Sequence, residues 1–183
     1  MTHLIKHTKI LLAGAALAVP ASGVLAAEDA QAPEGAKAMP ASTPEQLVAS
    51  IKSCSTAVSA EGINDANLTK AGWSKGELKM GDGAEVDSVR VYSHKKVKTL
   101  IMLPPESRKD AKSCIVRAKM ASPQDIASAA NLLSNEIGEA PKKGQAQDVV
   151  WIAGDRAIQL VTKGDKNAPS VQVVVAYAKG AKS

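Results

Sequence analysis

The chain is 183 residues long, carries 23 Lys and Arg against 18 Asp and Glu, and contains no Phe, two Trp and two Tyr. So few aromatic side chains cannot form a stacking platform for nucleic-acid bases, and the charges are interspersed along the chain rather than gathered into a basic stripe. We therefore expect no nucleic-acid partner. The length suits a single domain with a core of aliphatic side chains.

The first 26 residues have the features of a bacterial-type secretory signal peptide. A basic start formed by His3, Lys6, His7 and Lys9 precedes an apolar run at 10–19 and a small-residue cleavage pattern at 24–26. The apolar run is about half the roughly 20 residues of a transmembrane helix, so it predicts export to the periplasm or the medium without a transmembrane anchor. Loss of Lys6 and Lys9 on cleavage would lower the net charge from +5 to +3.

The remaining chain divides into a linker and a domain. Residues 27–42 are rich in Ala, Pro, Glu and Gly and show no apolar periodicity, which is typical of a flexible linker. Residues 43–180 contain periodic apolar segments separated by turn residues, so we predict a single folded domain there.

An amphipathic helix is predicted at the start of the domain. Thr43 is suited to the N-cap and Pro44 to the first helical position. Apolar residues then recur at helical spacing, which places on one buried face Leu47, Ile51, Cys54 and Val58. The other cysteine, Cys114, lies in a segment that alternates like a half-buried strand.

We expect the two cysteines to form a disulfide, Cys54 to Cys114. Both lie on faces predicted to be buried in an exported chain, which favours a structural bond, and the Cys-x-x-Cys spacing of a redox-active pair is missing. In the loop-entropy model, closing a loop of about 60 residues restricts the unfolded chain by roughly 4 kcal/mol.

A pattern of one helix followed by three strands occurs twice. After the first helix, period-two alternation predicts strands from residue 86, at 97–103 and around Cys114. A second helix is predicted from Ser122 to Gly138, with strands at 149–153, 157–162 and 171–178. The last strand is apolar on both faces, so we expect it inside the sheet and covered on both sides at least partly. The predicted fold is α+β, with two principal helices on one face of a mainly antiparallel sheet of about six strands and a suggested αβββ pseudo-repeat.

Two segments match patterns of known chemistry. Residues 72–76 satisfy the G-x-S-x-G pattern of serine hydrolases, which makes a small hydrolase using Ser74 and His94 one alternative. The predicted context is a helix end and a loop rather than a strand–turn–helix, so we expect no catalytic site. Asp82, Glu85 and Asp87 offer oxygen ligands, but their spacing departs from that of an EF-hand loop, and we predict a solvated acidic loop with no metal or other cofactor.

A binding surface is predicted on the outer side of the sheet. In the register that we assign, its polar side chains are Arg90, Tyr92, His94, Arg117, Lys119, Gln159 and Gln172. Trp73 and Trp151 are interpreted as core residues. A cationic, hydrogen-bonding surface suits a protein or an anionic envelope component as partner. We therefore predict an exported, non-enzymatic binding module that uses its open sheet face or an edge strand, with a hydrolase or an inhibitor of an envelope enzyme as alternatives.

Overall fold

A computed structural model describes residues 39–76, 89–108, 110–144 and 148–179, which fall within one structural unit, Ala38–Ser183. The predicted signal peptide, most of the predicted linker and the acidic loop with Asp82, Glu85 and Asp87 lie outside the described residues. None of the described helices is long and apolar enough to cross a membrane.

Three helices occur in the described chain, and the two long ones begin where their sequences predict. Their bounds are Pro44–Ala57 for α1, Ala66–Lys70 for α2 and Pro123–Ile137 for α3. At the start of α1, Thr43 Oγ1 accepts from the Gln46 N–H at 3.3 Å and Gln46 Oε1 accepts from the Thr43 N–H at 3.4 Å. At the start of α3, Ser122 Oγ accepts from the Asp125 N–H at 3.2 Å.

The strands of the described residues form two sheets. A small hairpin pairs β1 (Val58–Ser59) with β2 (Gly62–Ile63). The main sheet is antiparallel and has eight strands, β3 (Ser74–Gly76), β4 (Arg90–Ser93), β5 (Thr99–Leu103), β6 (Ser113–Lys119), β7 (Lys142–Lys143), β8 (Val149–Ala153), β9 (Arg156–Lys163) and β10 (Ser170–Tyr177). Their spatial order is β3-β4-β5-β6-β10-β9-β8-β7.

The strand order shows a two-part organisation. α1 precedes the meander from β3 to β6, α3 precedes the meander from β7 to β10, and the halves meet where β6 pairs with β10. The α+β fold with a mainly antiparallel sheet is confirmed, but each half contributes four strands rather than three. The additional strands, β3 and β7, lie at the two edges, and segments of two or three residues are too short to show a period of two.

The disulfide joins the helix layer to the centre of the sheet. Cys54 on α1 is bonded to Cys114 on β6, with 5.8 Å between their Cα atoms, and both residues are fully buried.

Trp73 and Trp151 are 3% and 1% exposed, as expected of core residues. The Trp151 indole nitrogen donates to Ser134 Oγ on α3 at 3.0 Å, so the buried ring leaves no unpaired polar atom.

The folded region includes Ser42, the last residue of the predicted linker. Ser42 is 3% exposed. Its N–H donates to the carbonyl oxygen of Lys119 at 2.8 Å, and its hydroxyl donates to the carbonyl oxygen of Lys98. The chain in front of α1 is therefore attached to neighbouring ends of β5 and β6.

Candidate functional site

The eight-stranded sheet has an inner face that packs on the helices and an outer face that does not. On the inner face the register aligns Tyr92, Ile101, Val116, Val173 and Leu160, each at most 4% exposed. The described helices and the β1–β2 hairpin all contribute buried side chains to this inner core, among them Leu47, Leu68, Leu133 and Val58. Most side chains on the outer face are left partly exposed.

A mainly apolar row crosses the middle of the outer face. One residue from each of six adjacent strands aligns in the register, and we call this set the central row: Val91, Met102, Ile115, Val174, Gln159 and Val150. All members except Val91, which is 8% exposed, are only partly buried. The apolar surface continues toward one end of the strands through Ala176, Ala157 and Ile152. β10 is thus apolar on both faces, as predicted, but no described helix covers its outer side.

Positively charged side chains border the central row toward the other end of the strands. Ser170 on β10 pairs with Lys119 on one side and with Lys163 on the other. Lys98, an exposed residue directly before β5, lies near the same end of β6, because Thr99 pairs with Ala118 and Ser42 contacts the carbonyl oxygens of both Lys98 and Lys119. Arg117 lies on the same face of β6 as Lys119. We call this set the cationic end: Lys98, Arg117, Lys119 and Lys163.

The charge of the cationic end is not neutralised within the described chain. None of its four side chains forms an ion pair there. Lys98, Arg117 and Lys163 are exposed, and Lys119 is partly buried. An acid near this face, Asp148, accepts a hydrogen bond from Gln159 Nε2 at 2.8 Å. The outer face therefore combines an apolar centre with a positively charged border.

Arg90 and Tyr92 do not belong to this surface, which corrects the predicted register of β4. Tyr92 pairs with Ile101 on the inner face and is 2% exposed. Its hydroxyl donates to Asp65 Oδ2 at 2.8 Å, and Arg90 Nη1 donates to the same oxygen at 2.9 Å. Arg90 Nε also donates to a backbone carbonyl at 3.0 Å, and the Arg90 side chain is only 13% exposed. Both polar side chains tolerate this burial because Asp65 accepts from each of them.

The same contacts shift the pKa values of Asp65 and Tyr92. The hydrogen bond from Tyr92 holds the pKa of Asp65 below its ordinary value, with a smaller contribution from the positive charge of Arg90, although burial acts in the opposite direction. Burial and, to a lesser extent, the hydrogen bond to Asp65 raise the pKa of Tyr92 to about 12. At neutral pH, the neutral phenol of Tyr92 is therefore hydrogen-bonded to the anionic carboxylate of Asp65. This bond connects the start of α2 to β4.

Ser74 and His94 lie near one edge of the sheet but are not arranged as a catalytic pair. Ser74 opens the edge strand β3 and pairs with Ser93, and α2 precedes it where the hydrolase pattern requires a strand. The His94 ring packs against Trp73, with 5.4 Å between ring centroids, and His94 Nδ1 accepts from the Lys96 N–H at 3.1 Å. Among the hydrogen bonds of the described residues, none joins Ser74 to His94. His94 thus lies beside a core tryptophan rather than on the outer face.

A groove of about 430 Å³ lies on the helix side, between the C-terminal halves of α1 and α3 and the β8–β9 hairpin. Its apolar lining includes Ile51, Leu133 and Ile158. The charged groups at its rim have partners: Lys52 Nζ lies 2.9 Å from Glu136 Oε2, and Arg156 donates at 2.9 Å to two carbonyl oxygens at the C-terminal end of α1. The groove therefore presents no unpaired charge that would select a ligand.

The structure brings together only part of the predicted site. Arg117, Lys119, Gln159 and Gln172 share the outer face, whereas Arg90, Tyr92 and His94 lie elsewhere. Sequence reasoning missed Lys98, Lys163 and the central row. Lys98 falls inside the predicted strand at 97–103 but lies one residue before β5. Lys163 lies one residue beyond the predicted strand at 157–162.

No protein-family model, curated protein or solved structure matches this chain. Within the residues that the structure describes, no group of three or more His, Cys, Asp or Glu side chains is placed to hold a metal ion.

Proposed function

We propose that this chain is an exported, non-enzymatic binding module that docks an acidic protein partner on the outer face of its sheet. The observation that carries the proposal is the combination of the mainly apolar central row, which no described helix covers, with the cationic end beside it. The hydrolase alternative gains no support, since Ser74 and His94 make separate contacts.

The apolar character of the outer face supports a docking role. Strands with apolar residues on both faces are typical of sheets that are covered on both faces. In this chain the described helices cover the inner face, and Met102, Ile115 and Val174 remain partly exposed on the outer one. Contiguous exposed apolar surface is uncommon on proteins that act alone and often marks an interaction site.

The cationic end supports an acidic partner. Its four positive side chains have no ionic partner among the described residues, so an acidic surface would supply the missing countercharges and speed encounter. A protein is favoured over a lipid surface because Trp and Tyr, which anchor proteins at membrane interfaces, are not on this face. Trp73, Trp151 and Tyr92 are all buried on the inner side.

Two observations support export. The first 26 residues carry the basic start, apolar run and small-residue pattern of a signal peptide. The disulfide between Cys54 and Cys114 is of a kind that persists in oxidising compartments outside the cytoplasm.

The proposal is tested by capture from an envelope extract of the source organism with three forms of the mature chain. These are the wild type, the charge-reversal variant Arg117→Glu/Lys119→Glu, and the control Lys70→Glu, which changes an exposed lysine on α2. We expect a protein that is retained by the wild type and the control and lost by the double variant. After purification it should bind the double variant at least tenfold more weakly, and its affinity for the wild type should fall with added salt. Retention that is unchanged by the double variant would contradict the proposal.

A further inference from the structure

We infer that the partner presents an amphipathic helix that lies across the strands on the central row, with acidic side chains along the flank that faces the cationic end. This inference rests on the proposed function and adds the type of element that the outer face recognises.

The length of the central row fits a helix of ordinary size. The row runs from Val91 on β4 to Val150 on β8, across six adjacent strands. At about 4.8 Å between neighbouring strands, its ends are about 24 Å apart. A helix of roughly 16 residues has this length. The two long helices that pack on the inner face have similar lengths, 14 and 15 residues.

The width of the outer face explains where the acidic side chains should lie. On β6, Ile115 belongs to the central row, Arg117 lies about 7 Å further along the strand, and Lys119 lies about 13 Å along it. A helix with its side chains is about 10–12 Å wide. The flank of a helix centred on Ile115 would therefore lie about 5–6 Å along β6 from Ile115, next to Arg117 and within reach of the long side chain of Lys119.

The spread of the cations across the sheet points to acids along the helix rather than at one of its ends. Lys98 precedes β5, Arg117 and Lys119 lie on β6, and Lys163 ends β9, so the positive charges extend across four adjacent strands, about 14 Å. This distance corresponds to between two and three helical turns. Acidic residues that recur every three or four positions beside an apolar stripe would match it.

The test uses the mature chain and two designed peptides of about 18 residues with the same leucine stripe. One peptide carries Glu on both flanks of the stripe and the other carries Lys. We expect the Glu peptide to bind at least tenfold more tightly by fluorescence anisotropy. We also expect the variant Ile115→Thr/Val174→Thr, which keeps β-branched side chains in both strands, to weaken that binding at least tenfold. Met102→Gln is a second variant on the neighbouring strand, for use if the double variant does not fold.

Each outcome decides the inference, and the inference can fail while the proposed function stands. Equal binding of the two peptides, or no binding of either, would overturn the helix inference. If the captured partner is lost by Arg117→Glu/Lys119→Glu but retained by the threonine variant, the helix inference fails and the proposed function stands. Self-association that the threonine variant abolishes would identify a second copy as the occupant and overturn the inference. Equal binding of anionic phosphatidylglycerol vesicles and acidic protein would overturn both proposals.

Discussion

The hydroxyl of Tyr92 donates a hydrogen bond to Asp65 Oδ2 at 2.8 Å, between residues 27 positions apart in the sequence. This bond holds the phenol on the inner face of β4, and the neighbouring Val91 consequently points to the outer face. A contact inside the fold therefore places Val91 at the β4 end of the central row. The register of β4, and with it the composition of the outer face, depends on a polar pair that is itself remote from the proposed docking surface.

Replacement of Asp65, which accepts hydrogen bonds from both Tyr92 and Arg90, should destabilise the fold at neutral pH. Asp65→Asn removes the charge that accepts from both Tyr92 and Arg90, and we expect a loss of about 1–2 kcal/mol in the free energy of unfolding, measured by urea denaturation. The control Asp110→Asn changes a carboxylate in an exposed ion pair with Arg108, and it should alter stability by less than about 0.5 kcal/mol. Equal losses in the two variants would show that Asp65 is not a structural acceptor.

The raised pKa of Tyr92 predicts a loss of stability at alkaline pH. Its folded pKa is about 12, above the ordinary value of 10.0, because burial and the Asp65 carboxylate disfavour the phenolate. The neutral Tyr92 phenol therefore contributes its full stabilisation of the folded state below pH 10. This contribution is lost as the pH rises through the pKa of Tyr92 in the folded state. Tyr92→Phe should reduce the fall in unfolding free energy between pH 10 and 12, relative to the wild type. A parallel decline in the two proteins, measured by urea denaturation at each pH, would contradict the shift.

The disulfide should contribute a large part of the stability. Cys54→Ala/Cys114→Ala releases a loop with a sequence separation of 60, and the loop-entropy model gives a loss of roughly 4 kcal/mol in the free energy of unfolding. Wild-type chain measured in excess reducing agent should show a comparable loss, and this measurement controls for the effect of the substitutions on core packing because both sulfur atoms are kept. A loss below about 1 kcal/mol in the free energy of unfolding would mean that the helix layer packs stably on the sheet without the disulfide.

The long elements could be predicted from the sequence because their signals are local. Thr43 and Ser122 each precede a proline at the start of a helix, and the apolar stripe of α1 contains Cys54. The alternation around Cys114 then places both sulfur atoms in one core, so periodicity, together with the signs of export, predicts the disulfide. The apolar composition of β10 predicts its central position in the same way.

The orientation of β4 could not be predicted because alternation separates two sets of residues without saying which set is buried. Val91 is more apolar than Arg90 and Tyr92, so local polarity favours Val91 as the inward residue. Asp65 reverses this preference by accepting from both polar side chains, and it lies 25 and 27 positions away from them. The cationic end was found in part, since Arg117 and Lys119 alternate within one long strand.

Methyl NMR of the complex with the captured partner tests most directly whether the outer face is the docking surface. Ile115 and Val174 point outward from β6 and β10, and their neighbours Val116 and Val173 point inward on the same strands, so each outward methyl group has an inward control. We predict that partner binding shifts the methyl signals of Ile115 and Val174 and leaves those of Val116 and Val173 nearly unchanged. Shifts confined to the groove on the helix side, at Leu133 and Ile137, would contradict docking on the outer face.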